Sequence, residues 1–156
     1  MATVTGMVTA EGKGSAGLRA LPSWLINQAA IAANRLVADG LAGAGTRRHH
    51  YALLAALDEV GPASQADLSR RIMIDRSNMV ATVNELSEQG LVERTPSPID
   101  RRRNVVTITA AGRRHLRKLD RLVATAQDEL LASLSAEERA RLVDLLARIV
   151  DDHAAG

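Results

Sequence analysis

Apolar residues recur every three or four positions along most of this chain, and residues that start or stop helices punctuate the repeat. Leu25, Ala29, Ala32 and Leu36 share one helical stripe after Pro22, which a first turn tolerates, and Asp39-Gly40 reads as the break, so the pattern predicts a helix over about 22–39. Gly43 and Gly45 mark a loop. A second helix from about Thr46 carries Leu53, Leu54 and Leu57 to the stop at Gly61-Pro62. Ser64 caps a short third helix whose apolar side is Ala66, Leu68 and Ile72, with Asp67 placed to reach back as in a capping box. Asp75 caps a fourth, in which Met79, Val83 and Leu86 point inward and Gly90 supplies the stop.

The period then changes. Leu91 to Arg94 and Asn104 to Ile108 are rich in β-branched residues and flank a polar, Pro-containing loop, the pattern of a β-hairpin. Thr109 caps a long helix with a seam at Leu116, Leu119, Val123, Ala126 and Leu130. Such a seam needs a partner helix along about 30 Å at 1.5 Å per residue. Ser135 and Glu138 form a capping box for a last helix, with Leu142, Leu145, Leu146 and Ile149 expected inward. The expected fold is mainly α with a small β-hairpin wing, that is, a winged helix-turn-helix attached to longer helices.

Composition narrows this picture. With 156 residues the chain supports one core, and with one Trp, one Tyr and no Phe that core must be aliphatic, which suits packed helices. Residues 1–18 lack a periodic apolar face and read as a disordered tail, leaving 19–156 as a single domain. There is no cysteine, which excludes disulfides, thiolate metal sites and thiol redox sensing. Without a long apolar run or a leader-like start, a cytoplasmic location is expected. His49 and His50 diverge on a helix, and His115 and His153 lie far away, so no metal site is expected. No nucleophile elbow or phosphate loop appears, so neither enzymatic activity nor a cofactor is expected.

The net charge is only +2, yet it is unevenly spread. From Leu91 to Lys118 eight Lys or Arg stand against two acids, whereas from Ala126 to Gly156 seven acids stand against three arginines. The basic excess surrounds the hairpin tip Ser97-Pro98-Ile99-Asp100-Arg101-Arg102-Arg103, which suits contact with nucleic acid beside a helix of groove-filling length.

The chain resembles the MarR family of bacterial transcriptional regulators. The resemblance spans roughly Leu21 to Asp152 and is carried by Ser64-Gln65-Ala66-Asp67-Leu68, Asp75-Arg76-Ser77, Gly90-Leu91-Val92-Glu93-Arg94, Pro98-Ile99-Asp100-Arg101-Arg102 and Val106 through Gly112, in that order. It implies a homodimer on a pseudo-palindromic operator, with 47–108 as the DNA-binding lobe and 19–46 and 109–152 as dimerisation helices. It further implies a repressor released by a small aromatic or phenolic ligand lodged between the two parts. The chain departs from the family at Ser97, where members often carry Asp, and at Val80 and Ala81, where they frequently carry polar or basic residues.

Within that frame Arg101, Arg102 and Arg103 are expected on phosphates or in the minor groove, with Asp100 pairing Arg101 and Arg102 inserting. On the fourth helix Asn78 and Asn84 are candidates for bidentate contact to adenine, Arg76 for guanine or phosphate, and Val80 and Ala81 for thymine methyl groups. Ser64, Gln65 and Ser77 sit near helix starts, where backbone contacts are natural. Trp24, Arg47, His49, His50 and Tyr51 are candidates for an effector site, since an aromatic acid wants a cation or imidazole and an apolar wall. Competing readings are a constitutive or architectural DNA-binding protein without an effector, and a winged-helix module that docks on protein.

Overall fold

The structure is a computed structural model that describes residues 14–155. Residues 1–13, most of the expected tail, lie outside the described residues; within the remainder, Ala16–Arg19 forms a single helical turn, α1. The following elements run α2 (Pro22–Ala42), α3 (Arg48–Val60), α4 (Gln65–Ile72), α5 (Arg76–Glu88), β1 (Val92–Pro96), β2 (Asn104–Ile108), α6 (Ala110–Leu130) and α7 (Ala136–Ala154). The expected order of helices and hairpin is observed.

Caps define most of the boundaries. The side chains of Ser64, Asp75, Thr109 and Ser135 each accept the backbone N–H three residues on, at Asp67, Asn78, Gly112 and Glu138. Ser135 and Glu138 complete the reciprocal box, whereas Asp67 instead accepts the Ser64 hydroxyl and pairs with Arg70. Three boundaries depart from expectation. Helix α2 does not stop at Asp39-Gly40 but continues to Ala42, because α6 packs along it there, with Leu122 and Ala126 of α6 facing Gly40 at ordinary van der Waals distance. Helix α3 starts at Arg48 with Arg47 as its cap, since Thr46 is buried and bonds His115 of α6 instead. Strand β1 extends past Arg94 to Pro96, which pairs with Asn104 at the open end of the ladder.

Leu41, Leu53, Leu54, Leu57, Leu68, Met79, Val83, Leu86, Val106 and Leu119 are fully buried and tie α2 through α6 into one core. The antiparallel ladder pairs Val92 with Ile108 and Pro96 with Asn104, and Ala63 bridges Val106, which fastens the hairpin to the start of α4. The α6 seam finds its partner within the chain, packing along α2 with Leu116, Leu119 and Ala126 buried. Helix α7 differs from expectation: it has no buried residue, and Leu145, Leu146 and Ile149 are exposed. Leu25, Ile26 and Ile31 on the first half of α2 are exposed as well.

Candidate nucleic-acid interface

Helix α5 presents its polar side because its apolar side is committed. Met79, Thr82, Val83 and Leu86 point into the core, which turns Ser77, Val80, Ala81 and Asn84 outward, with Arg76 and Asn78 also exposed. Arg76 and Val80 border a groove between α4 and α5 that also exposes Ala66, expected inward, and reaches Gln65. The Gln65 amide nitrogen is buried there without a hydrogen-bond partner among the described residues. Ser64 is committed to its cap and to Asp67.

The two asparagine amides are held by charged neighbours. Asp75, as cap, accepts the Asn78 backbone N–H at 2.9 Å and the Asn78 side-chain N–H at 2.5 Å, and these bonds hold the Asp75 carboxyl below its usual range. Arg94, on β1, donates to Asn84 Oδ1 at 2.6 Å. Arg94 belongs to the basic excess of this region, and its local sequence does not place it beside α5. The hairpin register does so by bringing β1 across the end of that helix.

At the wing tip the turn is built from side-chain bonds to backbone. Ser97 Oγ accepts the N–H groups of Ile99 and Asp100 at 3.3 and 3.4 Å, so the hydroxyl supplies the turn-forming acceptor. Asp100 does not pair with Arg101. Its carboxylate accepts the Arg102 N–H at 3.1 Å and faces Arg103 Nε at 3.9 Å, because the turn folds Arg103 back over it. The Arg101 and Arg102 guanidinium groups project with no ion pair among the described residues.

The candidate effector residues separate into three places. His49 and Tyr51 line a cavity of about 260 Å³ together with Val37, Arg48, Ala52, Ile72, Met73 and Ile74. Arg47 and His50 turn away from it to Glu85 of α5, at 3.2 and 2.5 Å. His50 is buried, and its Nδ1 accepts the Arg47 N–H, which leaves Nε2 to donate to the Glu85 carboxylate. That bond, with Arg47 nearby, lowers the Glu85 carboxyl from its usual range. Trp24 stands apart, under Gly14 and 13 residues before Val37 on the same helix, about 20 Å away along the axis. Arg48 was missed. The stripe His50, Leu53, Leu54, Leu57 fixes the phase of α3, and that phase puts Arg48 with Ala52 on the cavity side. Tyr51 also donates to Asp120 of α6 at 3.0 Å, and its hydroxyl is pushed up by burial and by that carboxylate.

A family model described as the MarR family matches residues 44–103, from the loop before α3 to the wing tip. Over 107 residues the chain is 32% identical to the HTH-type transcriptional repressor NicR of Pseudomonas putida, covering 68% of each protein. The chain belongs to the MarR family. It is also 35% identical over 99 residues, 64% of its length, to a putative transcriptional regulatory protein for the hcr operon of Thauera aromatica, and spans only 60% of that relative. The MarR-family fold is matched by CouR on a 23-mer DNA duplex, with a TM-score of 0.80 at 28% identity over 90% of this chain and 99% of that one. CouR from Rhodococcus jostii RHA1, solved with p-coumaroyl-CoA, gives a TM-score of 0.76 at 26% identity over 86% of this chain and 95% of that one. Among the described residues no helix is long and apolar enough to cross a membrane, and no group of three or more His, Asp or Glu is placed to hold a metal ion.

Proposed function

We propose that the chain is a dimeric, sequence-specific DNA-binding transcription factor of the cytoplasm, a repressor that a small aromatic acid releases from its operator. The observation that carries DNA binding is the joint exposure of the outward side of α5 and of Arg101 and Arg102 on the wing, which form no ion pair among the described residues. A helix of 13 residues fits the major groove while the wing reaches the flanking backbone. A duplex-bound relative of the same fold supports this assignment. Phosphate contacts by Arg101 and Arg102 supply sequence-independent affinity, and Arg76, Ser77, Asn78, Val80, Ala81 and Asn84 supply base contacts. Ser64 and Gln65 lie at the α4 start, where helix N-terminal N–H groups suit contact with the DNA backbone.

Two copies associate through the apolar side that one copy leaves open. Leu25, Ile26, Leu130, Leu142, Val143 and Leu146 line a groove of about 470 Å³ between α2, α6 and α7. Such a contiguous apolar face on a small chain is a natural interface.

The effector enters the cavity beside α3. Its 260 Å³ suits a single ring, with Arg48 and His49 for the carboxylate and Val37, Ala52, Ile72 and Ile74 as the wall. Met73, which joins α4 to α5 in a left-handed conformation (φ 55°), lines the same cavity, so an occupant presses on the turn that aims α5. A relative solved with p-coumaroyl-CoA supports an aromatic class. The test is duplex binding by the purified protein with and without single-ring aromatic acids. Specific binding that such an acid weakens, and that Arg48→Ala makes insensitive to the acid, is the expected result. A protein that binds no duplex overturns the assignment.

A further inference from the structure

We infer that Arg94 is a positioning residue that fixes what Asn84 reads, and that the pair selects guanine in the major groove; this rests on the DNA-binding function proposed above. Asn84 projects from the outward side of α5, and Arg94 of β1 donates to its Oδ1 at 2.6 Å. A guanidinium has donors only and stays charged, so it must face the amide oxygen. The Asn84 NH₂ is thereby the group on display.

An unconstrained asparagine favours adenine, its oxygen taking the N6–H and its NH₂ donating to N7. Here that mode would cost a short, charge-assisted bond. What the pair offers instead is the Asn84 NH₂ plus the remaining guanidinium N–H groups, a surface of donors alone. Guanine is the base that presents two acceptors, N7 and O6, at its major-groove edge. Glu88, one turn on from Asn84 on that side of α5, forms no ion pair with Arg94, whose guanidinium goes to the Asn84 oxygen. Asn78 is oriented the opposite way, since the acceptor Asp75 takes its N–H and leaves its oxygen open.

The experiment is selection of duplexes from a randomised pool by the full chain and by Arg94→Ala, Arg94→Lys and Asn84→Ala, each first checked for cooperative unfolding. Wild type should select guanine at one position in each half-site, and Arg94→Lys, still a donor, should keep it. Arg94→Ala frees the Asn84 oxygen and should shift that position towards adenine by about tenfold. Asn84→Ala should lose the wild-type preference at the same position. If Arg94→Ala weakens all duplexes alike with base preferences unchanged, Arg94 contacts phosphate only and the inference fails. Selected duplexes without a guanine there also overturn it while leaving DNA binding intact; no selected duplex at all overturns the proposed function with it.

Discussion

Single residues decide how α5 is held. Glu85 joins it to α3 through His50 and Arg47, and its carboxyl is lowered first by the His50 bond. A carboxylate lowered in the folded state stabilises the protein above its unfolded pKa, and that contribution is lost as pH falls through the folded value. Glu85→Gln should therefore lower Tm at neutral pH, and the gap to wild type should close as pH drops through and below the ordinary carboxylate range. Thermal melts across that range measure it, and a gap that is constant with pH would contradict the assignment. Gly112 is a second case, buried in the first turn of α6, where an added Cβ would stand 2.1 Å from the Leu91 carbonyl oxygen. Gly112→Ala should cost roughly 1–3 kcal/mol, as overpacking usually does, read by denaturant unfolding; an unchanged midpoint would show that the wing base yields freely.

Among the elements, caps and periodicity were legible and partners were not. Ser64, Asp75, Thr109 and Ser135 announced their helices because capping is a local bond between residues three apart. Gly40 does not end α2, because packing against α6, an element distant in sequence, carries the helix on to Ala42. The seam of α6 and the stripe of α7 are equally apolar in sequence, yet one is covered by α2 and the other is open. At the site, the exposed residues of α5 were legible from the phase set by Met79, Val83 and Leu86. The pairings Asp100 with Arg103, Arg94 with Asn84 and Glu85 with His50 were not, since each depends on a turn or on elements distant in sequence. Ser97 shows the same dependence: its hydroxyl holds the wing turn only because the loop brings the Ile99 and Asp100 N–H groups to it.

For the whole molecule, the proposed function links two-fold association to DNA binding, since half-sites about one helical turn apart require two wings at fixed spacing. Replacing Val143 and Leu146 together by Asp should yield a folded monomer by light scattering, with weakened operator affinity; a variant that remains dimeric would place the interface elsewhere. Basic residues gather at the hairpin and early α6 while acids gather towards α7, a polarity that turns the wings, not the open apolar face, towards DNA. The most direct measurement is operator affinity across a salt titration for wild type and Arg102→Ala. Each phosphate contact adds about −0.9 to the slope of log K against log salt, so losing one per protomer should make the dimer's slope shallower by about 1.8, with affinity falling for every duplex tested. An Arg102→Ala protein with wild-type affinity and wild-type slope would contradict the central claim that the wing grips DNA.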